Sequence, residues 1–192
     1  MKKILIGTHN IGKFKEISFL LPNDFKKISP LSLKISSPKE TGKTFLANAK
    51  LKAKYFSKFT KLAVISDDSG LCIKALNGKP GIFSARYAKK YGNFNEAMKF
   101  ILKKMKKKKD RSAFFVCSLS YISNKKKITS VVGKIKGSIS YKIKGKQGFG
   151  YDPIFIPHSK SVTFGQMPKR KKIMMDHRFI AYRKLKKRIK IL

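Results

Sequence analysis

Short apolar runs alternate along this chain with stretches whose apolar residues recur every three or four positions. That alternation predicts strands interleaved with helices. Lys3 to Thr8, built on Ile4-Leu5-Ile6, is expected to be a strand. Gly12 to Leu21 has Phe14, Ile17, Leu20 and Leu21 on one helical face, and Pro22 stops it. Phe25 to Ile35 is expected to hold one or two strands. Thr44 to Phe59 carries Phe45, Ala49, Ala53 and Phe56 at helical spacing. Two short strands are expected at Leu62 to Ser66 and at Leu71 to Ala75, with a polar break between them.

Asn93 to Met105 gives the clearest helix, with a stripe of Phe94, Ala97, Met98, Ile101, Leu102 and Met105. Asn93 and Glu96 have the spacing of a capping box, so Glu96 is expected to be structural. Ala113 to Ile122 and Ile128 to Ile135 form a hairpin about Ser123-Asn124-Lys125, and Ser138 to Ile143 is a candidate third strand. Lys169 to Leu192 is expected to be helical and basic. The element order points to an α/β or α+β fold with a mixed sheet. The 192 residues suit one domain, or two small lobes around a cleft.

Charge changes this picture less than its size suggests. The formal net charge is +38, with 47 Lys and Arg against nine Asp and Glu. Such a chain binds polyanions weakly through charge alone. Yet six of the 47 are Arg, and the lysines spread from end to end, which favours codon bias over a dedicated nucleic-acid face. No apolar run approaches the roughly 20 residues of a membrane span. Nor does the N-terminal segment have the form of a signal peptide, so the cytoplasm is the expected location. Cys72 and Cys117 stand far apart, without metal-ligand spacing, and are expected to be buried thiols.

Scarcity makes the carboxylates informative. Asp67 and Asp68 are adjacent in Ser66-Asp67-Asp68-Ser69-Gly70, at the expected end of an apolar strand. Side chains alternate along a strand, so the two carboxylates face different ways. One can hold Mg²⁺, which uses one or two carboxylates with waters and phosphates, and one can take a proton from water. A turn in which Asp67 or Asp68 bonds its own backbone fits the local sequence equally well.

Four further segments carry candidate chemistry. Thr8-His9-Asn10-Ile11-Gly12-Lys13 leads from strand to helix, where N–H groups attract anions, or it is simply a turn and helix cap. The Gly spacing is not that of a phosphate-binding Walker loop. Asn77 to Arg86 is a Gly- and Pro-rich loop in which Ser84 and Arg86 could reach a phosphate, or which is a plain turn. Gln147-Gly148-Phe149-Gly150-Tyr151-Asp152-Pro153 offers rings for stacking on a purine, or anchors for a core. Last come Lys172 and the pair His177-Arg178, suited to a base edge or a phosphate, although a lone His in a helix is usually structural.

In this order and combination the segments resemble one family, the non-canonical purine NTP pyrophosphatases, which act on inosine and xanthosine triphosphates. Ser-Asp-Asp-Ser-Gly-Leu, Gly-Lys-Pro-Gly-Ile-Phe-Ser-Ala-Arg-Tyr, Gly-Phe-Gly-Tyr-Asp-Pro-Ile-Phe and His-Arg-Phe carry the resemblance, which runs from Thr8 to Ala181. It implies an elongated mixed sheet with flanking helices, two lobes around a central substrate cleft, and a homodimer. The implied reaction is Mg²⁺-dependent hydrolysis of ITP, dITP and XTP to the monophosphate and pyrophosphate. The Thr8–Lys13 segment (Thr8, His9, Asn10, Ile11, Gly12 and Lys13), Lys52 and Ser69 are then substrate contacts. Glu40 and Asp68 are the implied metal ligands, and Asp68, or Asp67 as second choice, the base. Phe149, Gly150, Tyr151 and Asp152 match the base-binding segment, and Lys172, His177 and Arg178 the group that reads the purine edge.

Three positions depart from the family pattern. Ala47 stands where a Glu usually precedes Asn48, Gln166 where a Glu usually precedes Met167, and Asp176 where a Ser precedes His177. Ala47 and Gln166 leave room for a second class: a basic protein that kept the shape, lost catalytic power, and binds nucleotide or nucleic acid.

Overall fold

Ile4, Leu5 and Ile6 have no solvent exposure and form the inner part of strand β1, Lys2–Ile6. The computed structural model describes residues 2–189. After β1 come α1 (Ile11–Leu20), β2 (Phe25–Ile28), α2 (Phe45–Lys58), β3 (Ala63–Ile73), α3 (Ser84–Lys90) and α4 (Phe94–Met105). β4 (Ser112–Ile122), β5 (Ile128–Ile139), β6 (Phe155–Pro157), α5 (Lys169–Ile173) and α6 (His177–Arg188) complete the order. The strands make one sheet in the order β2-β1-β3-β4-β5-β6. β1 is parallel to β2 and β3, while β5 and β6 are antiparallel, so the sheet is mixed. Helices flank it, as the sequence pattern predicts.

The chain divides into two compact units. The first holds Met1–Asp68, Cys117–Gly133 and Arg178–Leu192, and the second Ser69–Val116 and Lys134–His177. In the first, Leu5, Ile35, Phe56 and Val64 pack into one apolar cluster. Gly7 lies against it at the end of β1. A Cβ there would overlap the Ser66 hydroxyl and the Phe56 ring, so glycine lets β1 and β3 approach. In the second, the buried stripe of α4, Ala97, Met98, Ile101 and Met105, packs with Leu71, Ile73, Phe115, Phe155 and Phe164.

Several local expectations are corrected. β3 runs unbroken through Asp67 and Asp68, so the pair lies within a strand, neither at its end nor in a turn. β5 continues to Ile139 and takes up the first two residues of the candidate third strand, and residues 140–143 are not a strand. The region after β2 forms a short 3-10 turn at Leu31–Leu33, not a second strand. α3 occupies the end of the segment expected to be a loop, and Ser84 serves the fold: its hydroxyl donates to Gly81 O (2.7 Å) and accepts from Leu71 N–H (3.0 Å). The basic C-terminal stretch is two helices, α5 and α6, rather than one, and its last residues lie outside those described. Asn93 caps α4 through Glu96 N–H (3.0 Å), but Glu96 pairs outward with Lys99 (2.8 Å), which leaves half a capping box. Among the described residues, no helix is long and apolar enough to cross a membrane.

Candidate active site

The first unit gathers charge around β3. Asp67 is completely buried, and its Oδ2 lies 3.1 Å from Lys13 Nζ and 3.7 Å from Arg178 Nη2. Arg178, itself buried in α6, also pairs with Glu16 of α1. Burial alone would push the Asp67 carboxyl up, but Lys13, Arg178 and Lys52 together hold it down at about 2. It is a fixed negative charge and a poor proton acceptor.

Asp68 points elsewhere, as strand alternation requires. Its Oδ2 accepts a hydrogen bond from Asn48 Nδ2 (3.0 Å). Burial raises its carboxyl above the ordinary range, and the nearby Glu40 adds to this, against Lys13, Lys52 and the Asn48 bond. Adjacent residues thus differ in proton affinity because the cations around Asp67 outweigh its burial, whereas at Asp68 burial and Glu40 outweigh the neighbouring lysines.

α2 supplies the partners. Thr44 Oγ1 caps it by accepting from Ala47 N–H (3.0 Å). Asn48 and Lys52, one turn apart, share a buried face of that helix. Lys52 Nζ lies 2.8 Å from Glu40 Oε1. Burial would lower the Lys52 ammonium, but Asp67, Glu40 and Asp68 outweigh it and raise it, so Lys52 stays charged. Ala47 is exposed at the start of α2, beside the Thr41-Gly42 turn.

The Thr8–Lys13 segment is internally braced. Thr8 Oγ1 accepts from Asn10 N–H (3.2 Å), and Asn10 Oδ1 caps α1 by accepting from Lys13 N–H (3.0 Å). His9 Nε2 bonds to Ile35 O (3.0 Å), Ile11 is exposed, and Gly12 stands in the first turn of α1.

Glu40 and Asp68 suit a hard, oxygen-ligated cation. Glu40 is near enough to Asp68 to raise its carboxyl, a repulsion that a divalent ion would relieve. Among the described residues, no group of three or more His, Cys, Asp or Glu offers a closed metal cage.

The second unit holds a separate cluster. Lys172 of α5 is buried between Asp152 Oδ2 (3.3 Å) and Asp176 Oδ2 (3.2 Å). Its ammonium lies 5.1 Å from the Phe149 ring centroid and 5.6 Å from that of Phe164. Asp152 also accepts from Phe149 N–H (2.9 Å). Gly148, at φ +76°, leaves no room for a Cβ because it would overlap the Asp152 carboxylate. Tyr151 is an anchor: its ring stands edge-on to Phe94 and its hydroxyl donates to Ser84 O (2.9 Å). His177 stacks on Phe115, centroids 4.8 Å apart. Gly150 adopts φ +66°, and Ser69 is half-buried in β3.

Lys13, Lys52, Glu40 and Asp68 therefore come together in the first unit, and Phe149, Asp152 and Lys172 in the second. Arg178 sits with Glu16 and Asp67, while its sequence neighbour His177 belongs to the second unit. Two partners escaped the sequence reading, Asn48 and Glu16. Each is a polar residue on the buried face of an amphipathic helix, and that misplacement was the available signal.

A mixed α/β fold carrying buried carboxylates and lysines suited to a cation and an anionic ligand defines a phosphate-handling class of protein. A family model described as the Ham1 family matches residues 4–188. The chain belongs to that family. It is 44% identical over 192 residues to a dITP/XTP pyrophosphatase of Oceanobacillus iheyensis, covering 97% of this chain and 98% of that one. It is 39% identical to a dITP/XTP pyrophosphatase of Caulobacter vibrioides, covering 96% of each. A HAM1 protein structure from Coxiella burnetii superposes with TM-score 0.88 at 34% identity, covering all of both chains. The Staphylococcus aureus Ham1 protein structure gives TM-score 0.86 at 35% identity, covering 98% of each.

Proposed function

We propose that this chain hydrolyses ITP, dITP and XTP to the monophosphate and pyrophosphate, and so clears deaminated purines from the nucleotide pool of the cytoplasm. The observation that carries the reading is the convergence of Glu40, Lys13, Lys52 and Asp68 from four separate segments, with Lys52 2.8 Å from Glu40. Relatives named dITP/XTP pyrophosphatase, alike over nearly their whole length, support it.

Glu40 and Asp68 would hold Mg²⁺. When bound, the ion supplies charge neutralisation on the phosphates and on the departing pyrophosphate. Lys13 and Lys52 bind phosphate oxygens and oppose the same charge. Asp68 accepts a proton from water as the water oxygen bonds to the α-phosphorus and the bond from that phosphorus to the bridging oxygen breaks. Asp67, fixed as an anion, orients Lys13. Thr8 to Lys13 frames the phosphate contacts, and Ser69 adds a hydroxyl.

The Phe149–Asp152–Lys172 cluster is assigned to the base. Phe149 offers a stacking face, and the Lys172 ammonium donates to a 6-oxo oxygen that adenine lacks. Leaving that buried donor unmatched is what penalises ATP. His177 keeps its ring against Phe115, while Arg178, paired with Glu16 and Asp67, holds the Asp67 charge in place.

The test is pyrophosphate release with Mg²⁺ from ITP, dITP, XTP, ATP and GTP. ITP and XTP should exceed ATP and GTP in kcat/KM. Equal rates would reject the selectivity, and orthophosphate as product would reject the reaction. Salt-sensitive nucleic-acid binding with no hydrolysis would favour the binding-protein reading. A homodimer, implied by family resemblance, is read by light scattering.

A further inference from the structure

Asn48 has no solvent exposure and stands in the first turns of α2, where asparagine has no intrinsic advantage. Both ends of its amide are used. Nδ2 donates to Asp68 Oδ2 (3.0 Å), and Oδ1 accepts from Gly42 N–H (2.7 Å). The assignment is self-consistent, since a flipped amide would face an N–H with an N–H and a carboxylate with an oxygen. A carboxylate or an ammonium in its place could satisfy one side only.

Gly42 is shaped to the same contact. Its φ is not in the left-handed region, so glycine is not needed for backbone freedom. It is needed for space: a Cβ would lie 2.5 Å from Asn48 Oδ1. Glu40 is two residues earlier, and its carboxylate is held at 2.8 Å by Lys52, one helical turn beyond Asn48. A single face of α2 thereby grips both carboxylates, Asp68 through Asn48 and Glu40 through Lys52, and ties down the turn that carries Glu40.

We propose that Asn48 is a positioning residue that sets the spacing between Glu40 and Asp68, and through it the affinity for a divalent cation. The inference rests on the assignment of those two carboxylates as ligands under the proposed function. Groups that orient metal ligands without touching the metal are typically worth about 10- to 100-fold in affinity. Asn48 acts on two ligand-bearing segments at once, one by a carboxylate bond and one by a backbone bond.

The experiment is titration of the nucleotide-free protein with Mn²⁺, read by calorimetry and by the paramagnetic signal of the free ion. Wild type is compared with Asn48→Leu and Gly42→Ala. Leu keeps the branched shape and removes both bonds. Gly42→Ala leaves the Asn48 side chain intact and forces the turn away from it. Each variant is checked for a cooperative thermal transition before titration, and the glycine variant carries the test if the leucine variant does not fold.

Both variants should bind Mn²⁺ about tenfold or more weakly. Their Mg²⁺ half-saturation in ITP turnover should rise in step, with kcat at saturating Mg²⁺ falling less. A purely structural role would lower the melting temperature and leave the Mn²⁺ affinity alone. Affinity within twofold of wild type in the folded variants, or no Mn²⁺ binding by wild type at millimolar concentration, overturns the inference. Wild-type turnover of ITP is read in parallel, so failure of the proposed function shows there and failure of this inference shows in the Mn²⁺ isotherms.

Discussion

Lys13 Nζ and Asp67 Oδ2 form a 3.1 Å ion pair in which the carboxylate is wholly buried. Removing the lysine leaves a buried anion with less compensation, which costs about 3–5 kcal/mol when such a pair is broken. Lys13→Met should therefore lower the denaturation midpoint strongly. Adding Asp67→Asn to it should recover part of the loss, because the unpaired charge is then gone. Urea unfolding of the two single variants and the double variant measures the coupling. Additive effects would show that the pair is not coupled.

Asp68→Asn should reduce kcat for ITP by at least about 100-fold, the lower end of what a general base contributes. The amide is nearly isosteric, so folding should survive. Near-normal pyrophosphate release by this variant would remove Asp68 as the base.

Gly148→Ala should weaken the Lys172 cluster. The position has φ +76°, and the new methyl would meet the Asp152 carboxylate that pairs with Lys172 at 3.3 Å. Backbone strain of this kind costs about 1–3 kcal/mol. The expected signature in steady-state kinetics is a rise in KM for ITP together with a lower melting temperature. Unchanged KM and unchanged melting would refute the packing argument.

Ala47→Glu should stabilise the protein. The first turn of α2 has no acidic residue, and Thr44 already accepts from Ala47 N–H at 3.0 Å. A glutamate there completes a capping box and meets the positive helix end, worth about 0.5–1 kcal/mol. Thermal melts of the two proteins at low salt give the answer, and a lower melting temperature in the variant would contradict it.

Cys72 supplies the pH dependence. Burial lifts its thiol from an ordinary 9.0 to about 11, opposed by Lys134. The fold favours the neutral thiol, so this contribution to stability is whole below pH 9 and is lost as pH rises through about 11. Alkylation of Cys72 by iodoacetamide at pH 8 should be at least about tenfold slower in the native protein than in urea, since the thiolate is the nucleophile. Peptide mapping by mass spectrometry follows it, and equal rates would show that the thiol is not shielded.

The amino-acid sequence by itself determined the alternation of strands and helices, because periodicity and caps act over three or four residues. α1, α2 and α4 and the strands β1, β4 and β5 follow from those local rules. It also singled out Asp67 and Asp68, through the scarcity of acid in so basic a chain. It could not divide their labour, nor show that β3 runs through them. A strand tolerates two buried carboxylates only when partners arrive from elsewhere, and those come from Lys13, Arg178 and Asn48. Glu16 and Arg178 are 162 residues apart, and Asn48 and Asp68 are 20 apart. Only the tertiary structure decides which charge meets which, because Coulomb and hydrogen-bond partners are chosen by distance in space while propensity is read along the chain.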